Sequence, residues 1–285
     1  MLCTVGDLLT DVVVHLRGEP RRGTDNPARI HMVRGGSAAN VALAAVEAGG
    51  TARFVGQVGD DDLGHAHVEA LRAARVDAVV RHAGSTGTAV VLVDPSGERS
   101  SVTDRGTAIE LSVVPDDVLD GVGWLHLPAD SFVDGALADT AQALVADAAE
   151  RSIPVSISTS SVAALAEFGR AEFLELIAVV GPTVVIANRA EARFVLRDGQ
   201  RFPKTLWSVI TNGARATTVV HAGGERRSIR PDDATVVDTI GAGDAFTGAF
   251  LVRMLGGDAV DDAVRAGHEL AARTLRHVGA ALGES

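Results

Sequence analysis

Short apolar runs of strand length alternate with longer stretches of helical spacing along most of this 285-residue chain. Strand candidates lie at 2–5, 53–58, 124–127, 154–157, 183–186, 208–211 and 217–221. Between and after them, helical spacing covers 38–48, 63–74, 135–150, 174–180, 190–196, 242–255 and 259–277. Near-continuous Val, Ile and Leu runs suit strands buried on both faces, so the pattern predicts an α/β domain with a largely parallel central sheet covered by helices. Two stretches break the alternation. Around 12–33 and 80–104 the chain reads as short β segments with polar turns, among them Val12-Val13-Val14 and the segment after Asp94-Pro95-Ser96-Gly97. They predict hairpins inserted into a single domain spanning 1–285, forming a small β lid that would exclude water from a site beneath it.

Composition narrows the function. Hydrophobic residues make up 46% of the chain, enough for a substantial core, but only 4% are aromatic, so platforms for base stacking are poorly supplied. A formal net charge of −11 argues against a nucleic-acid partner. The lone cysteine, Cys3, excludes an internal disulfide framework and fits a reducing, cytoplasmic setting. No run of about 18 apolar residues predicts a membrane span.

Candidate chemistry concentrates near the C-terminus. A valine-rich strand at 234–237 runs into Asp238-Thr239-Ile240-Gly241-Ala242-Gly243-Asp244, and an apolar run follows. A helix that starts after a glycine-rich turn presents backbone N–H groups and a positive dipole end to an anion. Asp244 adds a carboxylate in the first helical turn, where it can take a proton from an incoming hydroxyl. The same residues also suit an ordinary capped helix start. A dinucleotide fingerprint is excluded because Phe246 stands where its third glycine belongs. The 199–205 stretch has the wrong glycine spacing for a P-loop and contains Pro203.

A second cluster, Arg34-Gly35-Gly36-Ser37-Ala38-Ala39-Asn40, opens the 38–48 helix and is followed by Gly56, Gly59-Asp60 and Gly64. With both clusters in order, the chain resembles the ribokinase/PfkB family of carbohydrate and nucleoside kinases over nearly its whole length. That resemblance implies a ribokinase-like three-layer fold and an ATP-dependent transfer of phosphate to a hydroxyl. Asp244 would be the catalytic base, and the N–H groups of Gly241, Ala242 and Gly243 the anion hole. Asp11, Gly35, Gly36 and Asn40 would hold the acceptor.

Asn188 and Glu191 match the family's Asn-x-x-Glu motif, implying Mg²⁺ and phosphate placement largely through water; the same pair reads locally as a capping box. Thr211 and Gly213 would begin the nucleotide loop, whose last glycine is replaced here by Ala216. His268 sits where relatives place an adenine contact. A monovalent cation such as K⁺ could bind carbonyls near Asp238 and Ile240. Arg105 stands near the acceptor site, either to meet an acidic or phosphorylated sugar or to pair with a surface carboxylate. The expected acceptor is a small sugar or sugar acid, with a nucleoside such as adenosine or pseudouridine as the alternative and a non-catalytic sensor as the competing class. Exposed lid strands offer an edge for a homodimer.

Overall fold

The computed structural model describes residues 1–197, 200–234 and 239–276. In chain order the strands are β1 Leu2–Val5, β2 Leu9–Leu16, β3 Ala28–Gly35, β4 Ala52–Val58, β5 Asp77–His82, β6 Thr86–Val93, β7 Arg99–Gly106, β8 Trp124–Pro128, β9 Val155–Ser158, β10 Val184–Asn188, β11 Trp207–Asn212, β12 Arg215–His221 and β13 Arg226–Ile229. The helices are α1 Ser37–Glu47, α2 Asp62–Ala73, α3 Gly135–Glu150, α4 Val162–Phe168, α5 Arg170–Val180, α6 Arg189–Val195, α7 Ala242–Leu255 and α8 Val260–Thr274. Among the described residues, nine strands form the central sheet in the order β13-β12-β11-β10-β9-β8-β1-β4-β5. It is parallel from β5 to β11, and β12 and β13 close one edge as an antiparallel meander.

Alternation along each strand splits the core into two layers. Cys3, Val55, Leu125, Ile157 and Val185 point to one face, under α3 to α6. Leu2, Phe54, Trp124, Ile186 and Val209 point to the other, under α1, α2, α7 and α8. Burying one such aliphatic side chain contributes about 1.5–3 kcal/mol. Burial also pushes the Cys3 thiol up to about 12, so it is inert packing rather than a nucleophile. Among the described residues, no helix is long and apolar enough to cross a membrane.

A second sheet has the order β3-β2-β6-β7. Each half is an antiparallel hairpin, and the halves join through the parallel pair β2 and β6. The 80–104 stretch is not all part of it. Residues 80–82 belong to β5, which pairs in parallel with β4 at the edge of the central sheet. Strand β5 is short, its valines are only Val79 and Val80, and just Ala83, Gly84 and Ser85 separate it from β6, so the two strands read as one β segment. Helix α4 and strand β13 also went unpredicted, since each is short and lacks a clear period. The strand expected at 234–237 and the end of the last helix at 277 lie outside the described residues, apart from Ala234 itself, which is in no strand.

The two sheets meet at the glycine turn. Val13 of β2 and Val91 of β6 pack on Ile240, two residues before α7 begins. The underside of the second sheet therefore bears on the start of the helix that carries Asp244.

Candidate active site

Helix α7 starts at Gly241, which adopts the left-handed conformation (φ 75°) and offers no side-chain cap. A side chain is strained in that conformation, so glycine suits the turn; the Ala242 N–H has only a long 3.5 Å contact with the Thr239 carbonyl, and Gly243 beside it is exposed. Asp244 is in the first turn. Its Oδ1 accepts from Ser37 Oγ at 2.7 Å and its Oδ2 from Asn40 Nδ2 at 3.0 Å. Asn40 in turn accepts from Arg34 Nη1 at 2.8 Å, so a cation supports the Asp244 carboxylate at one remove. Burial raises the Asp244 carboxyl above the usual carboxylate range, while the bonds from Ser37 and Asn40 and the Arg34 charge oppose the shift.

Asp11, on β2, belongs to the same cluster. Its carboxyl is pushed up to about 6, first by burial and then by the charge of Asp244, with Arg34 pulling the other way. Gly35 lies directly against it, and a methyl at that position would overlap the Asp11 carboxylate. Gly36 and Ser37 cap and begin α1 and form part of the wall of a cavity of about 700 Å³ between the two sheets. Asp11, Gly35, Gly36, Asn40 and Asp244 thus come together. Ser37 and Arg34 complete the group; the sequence reading passed over both, although they flank the glycine pair.

Arg105 stands on the cavity wall in a fork with Asp7, with Nε and Nη2 donating at 2.7 and 2.8 Å to its two oxygens. Both side chains are mostly buried. Asp134 lies 4.0 Å from its Nη1. Burial works against the guanidinium charge, and Asp7 more than offsets it, so Arg105 is held above its ordinary range. Arg105 does pair with a carboxylate, but with a mostly buried one on the cavity wall rather than one at the surface. Asp130, farther along the wall, is pushed up to about 6 by burial and by the Asp7 charge.

Asn188 and Glu191 form the complete capping box of α6. Glu191 is buried and accepts from the Asn188 backbone at 2.8 Å and from Thr159 Oγ1 at 2.5 Å. Burial raises its carboxyl and the Thr159 bond lowers it. The donors around it are hard oxygens, with the Asp130 charge close enough to be felt. Such a set fits Mg²⁺ held through water, because the carboxylate is already committed to Asn188 and Thr159.

Thr211 and Gly213 lie at the end of β11 and in the turn that follows. Ala216 falls inside β12, where extended backbone has no need of glycine. His268, on α8, pairs through Nε2 with Thr217 Oγ1 at 2.8 Å and packs on Phe246 at 5.4 Å. Burial lowers its imidazole below the ordinary value, against the pull of Asp232. Asp238, invoked for the cation, lies outside the described residues.

The family model described as pfkB family carbohydrate kinase matches residues 1–285. The chain belongs to this family. PfkB kinases are ATP-dependent phosphotransferases, and this chain is one of them. It is 28% identical over 261 residues to an adenosine kinase of Schizophyllum commune, covering 79% of this chain and 74% of that one. To an ATP-dependent ribose-1-phosphate kinase of Halopiger xanaduensis it is 29% identical over 288 residues, covering 94% and 90%. The crystal structure of adenosine kinase from Sinorhizobium meliloti superposes with a TM-score of 0.87 at 22% identity, covering 98% of this chain and 94% of that one. The ribokinase-like α/β fold expected from the two motifs is therefore the fold observed.

Proposed function

We propose that this PfkB kinase transfers the γ-phosphoryl group of ATP to a hydroxymethyl of a small, uncharged, hydroxyl-rich acceptor, with Asp244 as the base. The observation that carries this reading is the Asp244 carboxylate, held by Ser37 and Asn40 at the open end of α7 beside the interior cavity. Asp244 takes the acceptor proton as the hydroxyl oxygen attacks phosphorus in line, and the bond to ADP breaks. A raised carboxyl is suited to this, since proton uptake is most favourable when the base titrates near the working pH. The N–H groups of Gly241, Ala242 and Gly243 stabilise charge on the transferring group, and Asp11 orients the acceptor hydroxyls. Glu191 and Asn188 would hold Mg²⁺ through water, and when bound it neutralises phosphate charge and aligns the chain of phosphates.

Cavity charge selects among acceptors. Asp7, Asp104, Asp130, Asp134 and Glu167 line it against Arg105, whose fork Asp7 already fills. A second anion on the ligand meets that field unpaired, which argues against the sugar-acid half of the sequence expectation and against a phosphorylated sugar. A nucleoside remains the second reading, because Leu9, Ala89, Ile109 and Val133 give the same cavity an apolar side. The experiment is ADP release with Mg-ATP across neutral pentoses and hexoses, nucleosides, sugar acids and sugar phosphates. Turnover with a neutral sugar or a nucleoside and not with its acid or phosphate is expected. Preference for an anionic acceptor sinks the charge argument.

A further inference from the structure

Away from the kinase site, three metal-ligating side chains converge near the root of the second sheet. Asp60 stands in the turn after β4, His65 in the first turns of α2, and His82 at the last position of β5. Asp60 Oδ1 lies 3.1 Å from His65 Nε2. The imidazoles of His65 and His82 stack with centroids 4.4 Å apart and planes 15° from parallel. His82 Nδ1 is 3.4 Å from the Gly59 carbonyl oxygen, and with that nitrogen donating, the other keeps its lone pair. One ligating atom from each of Asp60, His65 and His82 lies within 4.8 Å of the other two.

We propose that Asp60, His65 and His82 form a site for a divalent transition-metal ion of the zinc class, tying the β4–α2 turn to the end of β5. Nitrogen and oxygen ligands sit about 2.0–2.2 Å from zinc, which puts neighbouring ligand atoms of a tetrahedron roughly 3.3–3.6 Å apart. The Asp60–His65 edge already has nearly that length. The remaining edges close by rotation of side chains that are exposed or half-exposed and free of core packing. Two imidazoles and a carboxylate suit zinc, nickel or copper, with water completing the shell, and they do not suit Mg²⁺, which takes oxygen. The site is therefore chemically separate from any nucleotide-bound metal.

Its position gives the ion something to hold. Asp61, next to Asp60, accepts from the Thr86 backbone at 2.7 Å and from its hydroxyl at 2.6 Å, and the Gly59 N–H donates to that hydroxyl at 3.1 Å. Thr86 is the first residue of β6, where the chain enters the second sheet. An ion on Asp60 fixes the turn that grips this root, and binding to the folded chain alone raises stability by mass action.

The test uses tag-free protein stripped of transition metals and titrated with Zn²⁺ by calorimetry, with thermal melts alongside. One saturable ion per chain is expected, with Tm rising by a few degrees at about a hundredfold excess over Kd. His65→Asn and His82→Asn each weaken binding at least tenfold and abolish the Tm rise, while turnover with Mg²⁺ as sole divalent ion stays at the parent value and shows that both variants fold. Absence of saturable binding, or binding of parent strength in both variants, overturns the site. The outcome is independent of which acceptor the kinase uses.

Discussion

Asp7 and Asp244 flank the same Gly36-Ser37 turn, Asp7 with its backbone against Gly36 and Asp244 with its side chain bonded to Ser37, yet they are held in opposite ways. Asp7 is gripped at both oxygens by the guanidinium of Arg105. Asp244 receives only neutral donors, a hydroxyl and an amide, with Arg34 reached through Asn40. A carboxylate forked on a guanidinium has both oxygens committed to a geometrically fixed pair. One steadied by neutral donors in a buried place stays ready to take a proton. Under the proposed mechanism, partner type separates the carboxylate that braces the wall from the one that takes the proton, although both are aspartates at the edge of one cavity.

Replacing Asp244 tests the contrast most severely. Asp244→Asn is expected to cut kcat by about 10²–10⁴-fold, the usual share of a general base, with ATP and acceptor binding largely intact. Near-normal turnover would remove Asp244 from that role. Asp7→Asn should instead act on stability, by roughly 2–4 kcal/mol in denaturant melts, because it leaves Arg105 mostly buried without its fork. The double change Asp7→Leu with Arg105→Met should recover most of that loss; no recovery would mean the pair supports the fold through something other than charge.

Ser37→Ala sharpens the comparison at the reactive end. The Ser37 bond lowers the Asp244 carboxyl, so its loss should move the acid limb of the kcat profile to higher pH. An acid limb that stays put would mean that another group titrates there. Asp11→Asn gives the smallest and most two-sided effect. The Asp11 carboxyl titrates near 6 in the folded chain, against about 3.9 when unfolded. Its contribution to stability is therefore full below about pH 4 and is lost as pH rises through 6. The amide should raise Tm by a few degrees at pH 7 and not at pH 4, while weakening the acceptor more than ATP. Equal weakening of both ligands would point to a general disturbance of the site.

Much of this molecule was legible before any coordinates. Strands of the central sheet announce themselves because burial on both faces demands uninterrupted Val, Leu and Ile, and α3 and α7 have the bounds their apolar spacing predicts. The elements that escaped were short or close to a neighbour: α4, β13, and β5, which is separated from β6 only by residues 83–85. At the site, Gly35-Gly36, Asn40 and Asp244 stand in motifs whose residue types follow from close approach and proton transfer. Ser37 and Thr159 carry no such mark, since a serine beside glycines and a threonine at a strand end are ordinary.

By itself the sequence determined the layered architecture, the open glycine turn at α7 and the acid placed in its first turn, because each depends on neighbours along the chain. Tertiary structure alone decided who holds whom. Ser37 meets Asp244 across 207 positions and Arg105 meets Asp7 across 98. Those pairings follow from strand order and from how the second sheet folds over the first, and no local pattern encodes them. The charge of the cavity and the proton affinity of its aspartates are set there, by burial and by partners drawn from distant parts of the chain.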